Sequence, residues 1–460
     1  MQNRVVRLKR RSVTFAEAVA AYRGARYDEC LAAVDGESAP QTQILRARAL
    51  TRLGRMEASL EECRMILHDE LTVVERGELQ LVKAVALLRL GRLEEAEAEL
   101  LVARLAAYSG CSPALEADYE TTEGLLSYSQ RDIDAAASAL DRALVVVPSP
   151  EQWMRPKREY FFSLGLVRAR ACDFRGLLVR AKEGLPVQLH WARMALHELD
   201  ADPLEDQWVS AALLSNFALL LVEVGDPSVL DELTQRVTEA AWSPGIRLYQ
   251  FNAVRSLGWL RALAGDHLGA FRDFRVSAEL APSRAWKLHA ILDRAFLARE
   301  LGQAMFAEDE LNYAVQLAGE LDLQTTADAV PPFTGLLKLA PLAALRDPAE
   351  GRAILERYQA ARSKCPPIFF EGLDRSWQAL ELVAEATIAR AEGGEQTAVD
   401  LFVNALDAFD KLGNRWRAAL VSLELAEMTG QPFFYGYAAR EAGRRPHSWL
   451  ARRLASLQVH

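Results

Sequence analysis

The sequence predicts an all-α protein, a superhelical solenoid of about eleven antiparallel helix pairs. Three observations carry that expectation. A spaced pattern returns five times: a small residue, Ala twelve positions later, Leu or Phe four later, and Ala or Ser three later. It reads Ala84-Ala96-Leu100-Ala103, Gly124-Ala136-Leu140-Ala143, Gly258-Ala270-Phe274-Ser277, Ala295-Ala307-Leu311-Ala314 and Ala386-Ala398-Phe402-Ala405. Gly or polar turn residues recur mostly at intervals of about 37–41 residues. Finally, Ala and Leu dominate the apolar half of the composition, and no stretch alternates as a strand does.

The turns set the units. They are expected near Gly24, Gly54, Gly91, Arg131-Asp132, Asp173, Gly225, Gly265, Gly302, Asp347, Gly393-Gly394 and Gly430. Each helix then has room for roughly four to five turns at about 1.5 Å per residue. The small residue lets the second helix of a pair cross the first, and the Leu or Phe fills the gap between them. Pro148 and Pro282 close their units, since proline cannot continue a helix. Two stretches break the rhythm: 173–225, where an extra helix is expected, and the Pro-rich 329–367. The expected organisation is a basic tail (1–12), an N-terminal array (13–328) with an irregular insertion at about 173–225, a degenerate unit or hinge (329–367), and C-terminal pairs with a basic capping helix (368–460).

Gly124 to Pro148 (GLLSYSQRDIDAAASALDRALVVVP) and Leu257 to Pro282 (LGWLRALAGDHLGAFRDFRVSAELAP) resemble the tetratricopeptide repeat along nearly their whole length. Ala84 to Ala103 is similar. Units of that family run to about 34 residues. The longer units here, and Leu406 to Leu425 (LDAFDKLGNRWRAALVSLEL), resemble the sensor arrays of MalT-like bacterial regulators. The resemblance implies a stacked array that binds a partner along its inner groove, in signalling or regulation.

The net charge is −9, yet the ends are basic: Arg4, Arg7, Lys9, Arg10 and Arg11 at the start, Arg440, Arg444, Arg445, Arg452 and Arg453 near the finish. An acidic body does not coat nucleic acid along its length. The ends are candidates for an acidic partner or phosphate, through Arg4, Arg7, Lys9, Arg10, Arg11, Arg444, Arg445, Arg452 and Arg453. Five scattered cysteines without a C-x-x-C argue against disulfides and zinc, and Cys30 and Cys63 fall at core positions. The longest apolar stretch, Ala211 to Val224, is too short to span a bilayer, so a cytoplasmic protein with no membrane attachment is expected.

No phosphate loop, G-x-S-x-G elbow or H-E-x-x-H motif is present, so neither catalysis nor a cofactor is expected. His190 and His197 stand seven apart, whereas helical metal ligands more often stand three or four apart. Leu425 to Ala442 has part of a helix-turn-helix spacing, but Phe433, Phe434 and Tyr435 fit a capping pair better. The repeat register assigns Arg48, Arg52, Arg89, Tyr128, Phe162, Arg170, Arg255, Trp259, His289, Phe296 and Arg299 to the inner face. Arginines among aromatics supply planar donors for carboxylates beside apolar platforms. The expected function is therefore a non-enzymatic adaptor for a protein or peptide. Two alternatives stay open: a ligand- or peptide-responsive transcription regulator subunit, resembling a MalT-like sensor array without its own DNA-binding domain and open to a small-molecule effector, and a nucleic-acid binder using the basic termini and the groove arginines. Oligomeric state is not legible.

Overall fold

A computed structural model describes residues 15–67, 71–109, 112–147, 160–202, 206–240, 242–321, 330–363 and 371–457. Among them are 23 α-helices and no strand. The chain forms two compact units: unit 1 holds residues 1–171, 198–210 and 243–246, and unit 2 holds 172–197, 211–242 and 247–460.

The first eight helices are α1 (Phe15–Arg23), α2 (Tyr27–Ala33), α3 (Pro40–Arg52), α4 (Met56–Arg64), α5 (Val73–Arg89), α6 (Leu93–Ala107), α7 (Pro113–Ser129) and α8 (Ile133–Val145). They pair as consecutive antiparallel hairpins, and the first helices α3, α5 and α7 also pack on one another. Local chemistry explains the starts. Thr72 and Glu75 form a reciprocal capping box on α5, and the Asp132 carboxylate accepts from Ala135 N on α8.

Next come α9 (Leu164–Glu183), α10 (Leu185–Asp200), α11 (Gln207–Val224), α12 (Leu230–Glu239), α13 (Arg247–Ala264), α14 (His267–Leu280), α15 (Arg284–Glu300) and α16 (Ala304–Gly319). The chain finishes with α17 (Val330–Ala344), α18 (Pro348–Arg362), α19 (Glu371–Ala391), α20 (Glu395–Leu412), α21 (Arg415–Thr429), α22 (Pro432–Gly443) and α23 (Trp449–Leu457). Among the described residues twenty-two helices in succession are followed by one terminal helix, in keeping with the about eleven pairs that the turn spacing implied.

Burial explains the repeating pattern. Ala96, Leu100, Ala103, Ala136, Leu140, Ala143, Ala270, Phe274, Ala398, Phe402 and Ala405 are all buried. A Cβ on Gly258 would lie 2.6 Å from the Phe274 ring, and one on Gly124 would lie 3.0 Å from Leu140 Cγ. The small residue on the first helix is thus the seat for the large residue on the second. Cys30 and Cys63 are core residues, as their register required.

Three expectations are corrected. Asp173 is not a turn: it lies inside α9, where its carboxylate accepts from Asn216 Nδ2 at 3.0 Å. Nothing from 173 to 183 breaks a helix, and the chain turns instead at Gly184, whose φ of +83° suits glycine. The stretch 173–225 therefore holds no extra helix among the described residues; it ends one pair and starts the next. Third, the apolar helix is longer than Ala211 to Val224. It starts at Gln207 and is long and apolar enough to cross a membrane by length and composition, with 56% of it buried in the fold. Pro148, Cys111, Cys365, Trp153 and residues 1–14 lie outside the described residues.

Candidate binding cleft

In unit 1 the expected groove residues are tied to one another. Arg48, on α3, donates from Nε to Glu78 on α5 at 2.8 Å, and its other arm donates to the Tyr160 hydroxyl at 3.3 Å. Its guanidinium also stacks 4.6 Å from the centre of Phe162. Tyr160 in turn donates to Asp118, which receives Arg170 at 3.0 Å. Arg48, Tyr160, Phe162, Glu78 and Asp118 are all buried. Burial acts against the charge on both partners of the Arg48–Glu78 pair. Glu78 is pushed up by desolvation and held back by Arg48, while Arg48 is stabilised as a cation by Glu78. Arg52 donates to the Tyr22 hydroxyl at 3.2 Å and lies flat on Trp208, 3.6 Å from the ring centre. Arg89 donates to the Thr51 carbonyl at 3.3 Å. Tyr128, half-buried, sits near the end of α7. In this strip Arg48 and Arg170 meet buried carboxylates, while Arg52 and Arg89 donate to a hydroxyl and a carbonyl.

Unit 2 differs. A cleft of about 630 Å3 opens among α13, α15, α17, α19, α20, α21 and α23. Trp259, Phe296 and Arg299, three of the expected groove residues, line it. Trp259 stands in a ring cluster, 5.5 Å from Trp416 and 5.7 Å from Phe296. Apolar walls come from Leu292, Leu337, Leu342, Leu380 and Leu420. The charged lining has six cations (Arg299, Lys338, Arg346, Arg390, Arg417, Arg453) against four acids (Asp293, Glu300, Glu424, Glu427).

Those charges fall into two groups. At one end Arg453 bridges Glu300, Glu424 and Glu427, and Arg390 pairs with Glu424 at 2.7 Å. At the other, Asp293 is the shared acid for Arg255, at 2.5 Å, and Lys338, at 3.5 Å. Burial works against the charge on Asp293, yet these two cations hold its carboxyl down at about 2. Lys338 pays for the same crowding: burial, reinforced by Arg255 and opposed by Asp293, brings its ammonium down to about 7. Arg417 has no ion pair or hydrogen bond among the described residues. It rests on the Trp416 ring at 4.8 Å, and desolvation lowers its pKa. Glu223 and Asp293 oppose that shift without forming an ion pair.

The remaining expected residues are placed as follows. His289 is buried and meets the Thr334 hydroxyl at 3.0 Å; Arg255 is buried on Asp293. Arg444 and Arg445 pair with Glu441, and Arg445 also donates to the Gly225 carbonyl. Arg453 is held by its three glutamates, which leaves Arg452 as the member of the C-terminal set with no ion pair among the described residues. Arg4, Arg7, Lys9, Arg10 and Arg11 lie outside the described residues.

Lys338, Arg390, Trp416 and Arg417 were missed from the sequence, and Arg453 was expected at a basic end and not in a cleft. A signal existed for one of them. Trp259 and Phe296 stand one position after a pattern small residue, and Arg299 four after. The same offsets from Ala386 give Thr387 and Arg390, both in the cleft. Lys338 and Arg417 sit on helices where the pattern itself has lapsed.

No protein-family model and no curated protein matches the sequence. Solved structures do. A Rap protein complexed with competence and sporulation factor is similar at a TM-score of 0.50 and 14% identity, over 83% of this chain and 99% of that one. The fold is a tetratricopeptide-like array of helix pairs. The apo quorum sensor NprR from B. thuringiensis (TM-score 0.43, 14% identity, 90% and 99% covered) and a human IFIT1 dimer with m7Gppp-AAAA (0.46, 13%, 98% and 96%) match the tetratricopeptide-like array more loosely.

Proposed function

We propose that the chain is a non-enzymatic tetratricopeptide-like adaptor that holds a segment of a protein or peptide partner in the unit 2 cleft, in a signalling or regulatory setting. The observation that carries this reading is Arg417: a desolvated guanidinium lining the cleft with no ion pair among the described residues, stabilised by Glu223 and Asp293 only from beyond ion-pair distance. A partner carboxylate would seat against Arg417 and Lys338, and large apolar side chains would lie on Trp259, Phe296, Trp416 and the leucines. The Rap structure, of the same fold, holds competence and sporulation factor, so an array of this kind can accommodate a bound factor.

A second reading, a small-molecule effector, is favoured by one observation. The cleft volume of about 630 Å3 falls within the roughly 300–1,000 Å3 of small-ligand sites. One experiment separates the two. Random dodecapeptides displayed on phage are selected on the full chain, and winners are re-measured on the Arg417→Glu variant. The adaptor reading expects winners that combine Asp or Glu with Leu, Phe or Trp, and at least a tenfold loss on the variant. Equal affinity on both chains would remove it. No enrichment, together with Arg417-dependent binding of 8-anilinonaphthalene-1-sulfonate, would favour the small-molecule reading.

A further inference from the structure

The last helix does not simply cap the array. A cap would rest on the final hairpin alone, and α23 does touch α21 and α22. It also packs on α13 and α15, the first helices of hairpins far earlier in the chain. Those are the helices whose faces build the cleft. Trp449 is fully buried, its ring 5.4 Å from Phe296 and 6.3 Å from Trp416, and Leu450 and Leu454 are buried with it. Four positions after Trp449, Arg453 reaches Glu300, Glu424 and Glu427 on α15 and α21. Burial acts against its charge, and the three acids more than offset this.

The lead into the helix is fixed as well. Arg445 donates to the Gly225 carbonyl, and His447 crosses the turn at Gly265 so closely that a Cβ there would lie 2.6 Å from His447. A nine-residue helix has little stability of its own in water, so the surface, not the segment, specifies this conformation.

We infer that α13, α15 and α21 form a docking surface for an amphipathic helix with a Trp-Leu pair, an arginine four residues after the Trp and a leucine one residue later, and that α23 is its resident occupant. The partner this surface fits is a helical segment of that chemistry on another protein, which binds by displacing α23. The carboxylates Glu300, Glu424 and Glu427 select the arginine, and Phe296 and Trp416 select the indole. The inference differs in chemistry from the anion at Arg417: it concerns the acidic side of the cleft, with Phe296 and Trp416 common to both readings.

Tethering gives α23 a high effective concentration, so a free competitor gains access only when that hold is weakened. The test uses a fluorescein-labelled peptide of residues 445–457, titrated by anisotropy into the full chain and into full-chain variants Trp449→Ala and Arg453→Glu. Both variants are expected to bind the peptide at least tenfold more tightly than the unaltered chain. A peptide carrying Arg453→Glu is expected to lose at least fivefold, and to regain it on a chain that adds Glu424→Arg to Trp449→Ala. The Arg453→Glu chain leaves the Trp449 core in place, so it answers the question if Trp449→Ala does not fold. If a folded variant binds the peptide no better than the unaltered chain, or binds the charge-reversed peptide equally well, the inference is overturned.

Discussion

Two arginine-and-aromatic regions, built from the same register of the same repeat, have opposite electrostatic states. In unit 1 Arg48 has Glu78, Arg170 has Asp118, and Tyr160 links the two pairs. In unit 2 Arg255 and Lys338 share Asp293, and Arg417 has no ion pair among the described residues, with Glu223 and Asp293 acting on it only at a distance. The first region is closed, since its polar groups satisfy one another. In the second Arg346 is neutralised by Glu308 and Glu350, and Arg417 is left without an ion pair beside the open cleft. Arginine among aromatics is therefore not by itself a binding signature; what matters is whether the protein supplies the counter-charge.

The largest expected effect breaks the comparison at its centre. Arg48→Met leaves Glu78 buried without a cation and is expected to destabilise unit 1 by about 3–5 kcal/mol. Arg417→Met strands no acid, so its stability is expected to be unchanged or slightly higher while peptide affinity falls. Urea denaturation followed by hydrogen exchange within each unit reads both. A similar stability loss in the two variants would erase the distinction.

Packing comes next. Gly258→Ala places a methyl against the fully buried Phe274 and is expected to cost about 1–3 kcal/mol. Adding Phe274→Leu should recover part of the loss, because Leu100, Leu140 and Leu311 fill the same place in sister units. A double-mutant cycle with no coupling would show that the small residue is not the seat argued for it.

A subtler expectation concerns Lys338. Its pKa of about 7 in the folded chain lies below the ordinary 10.5. Between those values the unfolded chain holds a proton that the folded chain has released, so stability should rise with pH across that window. The charged neighbours setting this value are Arg255, Asp293 and Arg417. An anionic ligand favours the ammonium, so its affinity should weaken as pH rises above about 7. Lys338→Met should flatten both slopes, which chemical denaturation and calorimetry at pH 6 and 8.5 would reveal. The smallest expected effect is at exposed Arg299. Arg299→Glu should leave stability within about 0.5 kcal/mol and mainly slow association with an acidic peptide.

The repeat architecture was legible because its cause is local: Ala84, Gly124 and Gly258 must be small wherever a second helix crosses. Asp173 misled for a related reason. An acid in a helical run reads as a turn, and only Asn216, distant in sequence, gives its carboxylate a partner inside a helix. For the candidate cleft, the register named Trp259, Phe296 and Arg299, which line it. It could not find that Arg48 is neutralised and Arg417 is not, because counter-charges come from other helices. Nor does the pattern show that Trp449 and Arg453 dock on helices that precede them by some 150 residues or more.

The most direct measurement is a hydrogen-exchange footprint of the strongest selected dodecapeptide on the full chain. The account expects protection along α13, α15, α17 and α21, around Trp259, Asp293, Lys338 and Arg417, and no change along α3 and α5 around Arg48 and Glu78. Protection centred on the Arg48 strip, with the Arg417 cleft unaffected, would contradict it.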